Sequence, residues 1–192
     1  MSKLFVTEFV SLNGVMEAPG GEHGHPHSGW TFASHYGDDH YAYKDEELQE
    51  AESLLLGRKT YEGFAAAWPD RGGKGDAFAD KLNAMPKYVV SSTLTDPEWN
   101  NTSVLSGDPV EEVRKLKESS SGTISIHGSA KLTHALVEAG LIDEYRVMIH
   151  PVLVADGLRM FPDPAEMQKL RLTDTRTYDS GVVVLVYEPR ED

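Results

Sequence analysis

TISIHGSAKLTHALVEAGLIDEYRVMIHPVLV, residues Thr123 to Val154, reads as a strand, a helix and a second strand in succession. The apolar run TISIH stops at Gly128. Beyond it Leu132, Ala135, Leu136 and Ala139 recur at the i, i+3, i+4, i+7 spacing of one helical face, and Gly140 provides the stop. DEYRVMIHPVLV then returns to an extended, β-rich pattern. A helix that links two strands in one sheet makes them parallel, so this unit predicts an α/β fold.

Working outward, the same alternation recurs. LFVTEFVSL near the N-terminus is β-rich, and a loop containing Gly, His and Asp runs from it to about residue 39. DEELQEAESLLLG predicts a helix that passes into a short buried strand at Leu54 to Leu56, and TYEGFAAAW a helix with Thr60 as N-cap that closes before Pro69. In DAFADKLNAMP, Phe78, Leu82 and Met85 share a helical face, and KYVVSS follows as a strand. GDPVEEVRKLKESSSG has Asp108 as cap, Pro109 in the first turn, Glu111 and Glu112 early, and Lys115 and Lys117 late, each suited to the helix dipole. Near the C-terminus LRLTDTRTY and VVVLVYE are strands that Asp179-Ser180-Gly181 joins as a hairpin. The whole predicts one domain over residues 1–192, a central mixed sheet that is parallel for most of its width, flanked by helices, with an antiparallel C-terminal hairpin.

Composition narrows the chemistry. The 192 residues include no cysteine, which removes disulfides, thiol nucleophiles and Cys-ligated zinc and suits a reducing cytoplasm. The opening MSKLFVTEFVSL has no apolar run of signal-peptide or membrane-span length. A formal charge of −13, from 31 acidic and 18 basic residues, repels nucleic acid and anionic lipid. The expected partner is a small molecule, and a phosphate-bearing one needs a locally basic or amide-rich pocket.

Two strand-to-helix turns meet that need. Gly57-Arg58-Lys59-Thr60 and Gly128-Ser129-Ala130-Lys131 each place a glycine where backbone approaches a ligand, then a helix N-terminus with free N–H groups, then cations. Glycine is also the simplest way to turn from strand to helix, so either turn alone says little. Together with Ser91-Ser92-Thr93 they suggest an extended ligand with several phosphates, such as a dinucleotide. GGEHGHPHSGW, Gly20 to Trp30, reads two ways. Alternate positions share a face in an extended chain, which brings His23, His25 and His27 together for a transition metal, with Glu22 near. The Gly and His-Pro punctuation describes a solvated surface loop, which is the preferred reading because nothing nearby supports a metal site. Trp68 and Trp99, beside prolines, read as packing anchors; His127 and His150, at strand ends, as structural histidines; and DEELQE as a solvated helix face.

SLNGVMEAPGG, LLLGRKTYEGFAAAWP, LNAMPKYVVSSTL and IHGSAKLTHALVEAGLIDEYRVMIHPVLVADGLRMF, in that order and spacing, resemble the dihydrofolate-reductase-like superfamily over nearly the whole chain. Gly140 to Glu144 and Pro151 to Leu153 make it most like stand-alone proteins similar to the C-terminal reductase domain of the riboflavin-biosynthesis deaminase/reductase RibD. The resemblance implies NADPH as cofactor. It places Gly57, Arg58, Lys59 and Thr60 at its phosphates, with Arg58 on the 2′-phosphate, and Ser91, Ser92 and Thr93 beside the adenosine. Gly128, Ser129, Ala130, Lys131 and Leu132 fall at the pyrophosphate, and Asn13, Gly14 and Val15 beside the nicotinamide, whose pocket His127 lines. Glu17, His23, His25, His27, Trp30, Asp38 and Asp39 become candidates for a lid or substrate rim, with no metal required.

Two positions depart from the family pattern, Asn13 where Asp is common and Ser129 where Gly is common. Ser129 still offers an N–H and a helix cap, whereas Asn13 cannot act as an acid. The implied activity is hydride transfer to a C=N-type small heterocycle, as in reduction of 5-amino-6-(5-phosphoribosylamino)uracil; the alternatives are a dihydrofolate-type reductase or a non-catalytic NADPH-binding protein. The catalytic proton donor is not assigned. The family also implies a homodimer.

Overall fold

The computed structural model describes residues 1–21, 24–33, 37–161 and 167–190. Its framework is an eight-stranded sheet in the order β4-β3-β2-β5-β1-β6-β8-β7. The strands are β1 (Leu4–Ser11), β2 (Ser53–Gly57), β3 (Lys87–Val90), β4 (Thr102–Leu105), β5 (Ile124–His127), β6 (Glu144–His150), β7 (Leu170–Thr177) and β8 (Val183–Pro189). Pairing is parallel from β4 to β6, whereas β8 runs antiparallel to both β6 and β7. The sheet is therefore the mostly parallel one that the helix-linked strands predict, with the hairpin at one edge.

The helices are α1 (Trp30–Ala33), α2 (Tyr41–Glu50), α3 (Arg58–Ala67), α4 (Ala77–Ala84), α5 (Pro109–Ser119) and α6 (Ala130–Glu138). Asp108 caps α5 by accepting from Val110 N and Glu111 N at 3.0 and 3.1 Å, and Gly140, at φ +63°, ends α6. One face of the sheet packs Leu4, Val6 and Val10 against Leu116, Leu132 and Leu136 of α5 and α6. The other packs Phe5, Leu54 and Leu56 against Leu48, Tyr61 and Leu82 of α2, α3 and α4. Each such side chain, withdrawn fully from water, contributes roughly 1.5–3 kcal/mol.

Several sequence expectations need correction. The region before residue 39 contains the short helix α1, and α2 starts at Tyr41, ahead of the acidic run, and stops at Glu50. β4 escaped prediction because TSVL is short, half polar and at an edge, entered through Asn101 at φ +57°. Thr60 is not an N-cap, since α3 already begins at Arg58 with Gly57 in the cap position. Ser129 occupies the cap position of α6 but makes no side-chain cap bond. Both hydroxyls are used between the two turns instead. The run DEELQE is not wholly solvated either: Glu47 and Leu48 are buried, Glu47 because it is ion-paired beneath the helix.

Candidate active site

In sheets of this kind ligands bind beyond the carboxyl ends of the strands. There β2 and β5 are neighbours, so the Gly57 and Gly128 turns meet. Gly57 N donates to Ser129 Oγ and Ser129 N to Thr60 Oγ1, both at 2.9 Å, while Ser129 Oγ donates to His127 O at 3.1 Å. Gly128 and Ser129 both take the left-handed conformation, at φ +60° and +59°. A Cβ at Gly128 would lie 2.9 Å from Thr60 Cγ2, so only glycine fits. The lacing sets the N-termini of α3 and α6 side by side. The first-turn amides of each helix have no acceptor within it, and the two dipoles add at one place.

Arg58 extends this edge toward β3, whose end lies beside Gly57. Its guanidinium donates to Thr93 Oγ1 at 3.0 Å and approaches Glu62 at 3.6 Å. Ser91 Oγ accepts from Thr93 N and Leu94 N and so locks the turn, whereas Ser92 is exposed. Lys59 and Lys131 extend into solvent, Ala130 is half-buried and Leu132 belongs to the core.

At the end of β1, Asn13 holds both backbone polar groups of Val154: its Nδ2 donates to Val154 O at 2.8 Å and its Oδ1 accepts from Val154 N at 3.0 Å. An aspartate at this position would lack the donor to Val154 O. Gly14 follows at φ +91°, and Val15 packs with Trp30 and Val154.

Of the described rim candidates, Glu17, Trp30 and His25 gather near Gly157, where a Cβ would meet Glu17 Cβ at 3.3 Å and His25 Nε2 at 3.5 Å, while Asp38 and Asp39 lie apart at the start of α2. Trp30 is buried, its Nε1 donating to Glu17 O at 2.8 Å. Glu17 accepts from Leu158 N at 2.9 Å and faces Lys59 at 3.4 Å. Asp38 O accepts from Tyr41 N at the start of α2, and Asp39 accepts from Asp179 N and Ser180 N in the β7–β8 turn. His25 and His27 lie with rings 6.0 Å apart, His27 N donating to His25 Nδ1. Glu22 and His23 lie outside the described residues. Among the described residues no group of three His, Cys, Asp or Glu is placed to hold a metal ion.

The sequence reading missed a buried polar belt under α2. Thr7 of β1 stands in register with His127 of β5 on one side and Arg146 of β6 on the other. Lys44 Nζ donates to Thr7 Oγ1 at 2.5 Å and pairs with Glu47 Oε2 at 2.9 Å, and Thr7 Oγ1 donates to the same oxygen. Arg146 holds Glu144 at 2.5 Å and Glu50 at 2.6 Å while lying over the Phe5 ring. Burial, with the charges of Lys44 and Arg146, pushes the His127 imidazole down to about 3, so it is neutral at physiological pH. Its Nε2 is buried without a hydrogen-bond partner, one residue before the glycine turn. Two signals pointed here: consecutive Thr7-Glu8 inside an apolar strand, and the i, i+3 pair Lys44/Glu47.

Glu8 projects from the opposite sheet face and accepts from Gly128 N at 3.0 Å. Burial raises its carboxyl well above the usual range, against the lowering effects of Lys44 and the Gly128 N–H. A carboxyl raised in the folded state contributes stability that is complete below the unfolded value and drains away as pH rises through the folded one. Glu8→Gln keeps an acceptor for Gly128 and cannot ionise. It is expected to melt higher than the parent by a margin that grows from pH 5 to pH 8; thermal melts across that range check it, and a constant margin would contradict it.

The comparisons with known proteins agree with this architecture. The Bacillus subtilis protein YyaP is 31% identical over 184 residues, covering 93% of this chain and 90% of YyaP. The Thermotoga maritima diaminohydroxyphosphoribosylaminopyrimidine deaminase/5-amino-6-(5-phosphoribosylamino)uracil reductase superposes with a TM-score of 0.68 at 14% identity, over 98% of this chain and 57% of that one. Dihydrofolate reductase from Enterococcus faecalis, in complex with NADP(H), superposes with a TM-score of 0.63 at 16% identity, over 98% and 97% of the two chains. The fold is thus dihydrofolate-reductase-like. The RibD C-terminal domain family matches residues 2–184, and the chain belongs to that family.

Proposed function

We propose that the protein is an NADPH-dependent reductase that transfers hydride to a C=N-type bond in a small heterocycle, similar to the phosphoribosylaminouracil of the riboflavin pathway. One observation carries the reading: two helix N-termini are laced together at adjacent strand ends, with Arg58 and Thr93 flanking them on one side. Two neighbouring helix N-termini with a cation beside them suit a ligand that carries more than one phosphate.

The residues present fit a dinucleotide. Gly57 to Thr60 with Thr93 would hold the adenosine phosphates, and Gly128 to Leu132 the bridging diphosphate, with Asn13 to Val15 beside the reactive ring. NADPH supplies the hydride when bound, and the protein supplies position and shelter from water. Glu17 and Asp39 already accept backbone N–H groups, which argues against either as the acid that protonates the acceptor nitrogen.

Arg58→Ala tests the cofactor reading. Loss of a charged contact to a 2′-phosphate is expected to weaken NADPH about ten- to a hundredfold and to leave NADH within about twofold. Titrations followed by tryptophan fluorescence give both constants. Equal losses would remove the 2′-phosphate role. Turnover of the aminouracil in preference to dihydrofolate then supports the riboflavin-type acceptor, and the reverse preference the dihydrofolate-type one.

A further inference from the structure

Arg159 was not among the residues that the sequence singled out, yet the fold carries it to the site. Met16 N donates to Leu158 O at 2.9 Å and Met160 N to Gly14 O at 3.1 Å, which sets Val15 opposite Arg159 in a short antiparallel bridge. Glu17 clasps Leu158 N from the same side. Gly157, at φ +140°, packs so closely that a Cβ there would come within 2.7 Å of Val15 Cγ1. The segment is therefore held against the end of β1 at several points. Its guanidinium donates to Asn13 O and sits over Gly14, where a Cβ would meet Nη1 at 3.4 Å. Its own carbonyl contacts His134 Nε2 at 2.8 Å, which ties the segment to the second turn of α6.

Charge and position together mark Arg159. In a chain of formal charge −13, Arg58, Arg114, Arg146, Arg171 and Arg176 each face a carboxylate. Among the described residues Arg71, Arg159 and Arg190 face none, and of these three Arg71 lies over the Trp68 ring and Arg190 at the last strand's end, whereas Arg159 stands at the end of β1. An exposed guanidinium that keeps most of its donors open, at the end of the strand beside β5 and along the helix that opens at Gly128, is placed for a planar, polydentate anion.

We propose that Arg159 binds a phosphate group of the ligand, supplied either by the bridging diphosphate of the dinucleotide or by a phosphate on the acceptor. The inference deepens the reductase reading, and one arm of its test does not depend on that reading. Arg159 lies past the end of β1 and Arg58 beside the end of β3, on opposite sides of the β2 and β5 ends that carry the two turns. A lysine would carry the charge without the two-pronged geometry.

The experiment compares the parent with Arg159→Gln and Arg159→Lys in titrations with NADPH, NADH and inorganic pyrophosphate, and with ribose 5-phosphate added to the NADPH complex. Melting curves show that the exposed substitutions leave the fold intact. The expected result is a loss of about ten- to a hundredfold in Arg159→Gln, partly restored in Arg159→Lys. Equal losses for NADPH, NADH and pyrophosphate assign the diphosphate. Unchanged dinucleotide binding with lost ribose 5-phosphate binding assigns the acceptor phosphate. If neither dinucleotide binds the parent, the reductase reading falls while pyrophosphate still decides the role of Arg159. Parent-like affinity of Arg159→Gln for every probe, or no phosphate binding by the parent at all, overturns the proposal and leaves Arg159 as a clasp on Asn13.

Discussion

Lys44→Met is expected to cost about 3–5 kcal/mol of folding stability, the usual penalty for breaking a buried ion pair from one side. Lys44 and Glu47 are 6% and 1% exposed, and the lysine ammonium is the cation that both Thr7 Oγ1 and Glu47 Oε2 meet. Methionine fills much the same volume and follows the same path over the Phe9 ring, so packing changes little; the loss comes from a carboxylate left in a dry interior. Urea denaturation gives the magnitude. The double substitution Lys44→Met/Glu47→Leu is expected to recover most of the loss, because no charge then remains stranded. A cost below about 1 kcal/mol for Lys44→Met would place the pair among solvated ion pairs and contradict the burial described above.

Gly128→Ala has the other large effect, on ligand binding. Alanine in a left-handed conformation costs about 1–2 kcal/mol, and its methyl would stand 2.9 Å from Thr60 Cγ2. Relief requires Thr60 to move, which gives up the bond from Ser129 N and unlaces the two turns. NADPH affinity is expected to fall by about a hundredfold or more, equivalent to roughly 3 kcal/mol, alongside a modest drop in melting temperature. Thr60→Ser removes the obstructing methyl and keeps the hydroxyl, so Gly128→Ala/Thr60→Ser should regain part of the binding. Calorimetric titration of the three variants decides it, and parent-like affinity in Gly128→Ala would mean that this turn is not part of a dinucleotide site.

The strand-helix-strand units were legible because their cores repeat at regular intervals, as Leu132, Leu136 and their neighbours do. Caps were less so. Thr60 and Ser129 have the chemistry of N-caps, but their hydroxyls serve each other's turns, a tertiary relation between residues far apart in the chain. The belt was hidden for a related reason: Lys44, Glu47 and Arg146 are residues that composition assigns to solvent, and only the partner strands reveal that they are paired inside. Arg159 gave no local signal, since its role depends on the bridge to Val15 rather than on its neighbours in sequence. Asn13 was noticed as a departure, and its partner Val154 is far away in the sequence.

The position of β1 also governs how the chain acquires its structure. This strand at the start of the sequence pairs only with β5 and β6, Leu4 with Ile124 and Phe5 with Glu144, so its hydrogen-bonding edges stay empty until more than half of the polypeptide has been made. Closing loops of that length before any reward is collected slows folding and exposes an apolar strand in the interval. The parallel pairings of β2 with β3 and β3 with β4 lie wholly before residue 124, so it is the seating of β1 that must wait. Fragments that end before residue 124 lack the partners of β1 and are expected to be substrates for chaperones and proteases rather than smaller folded units.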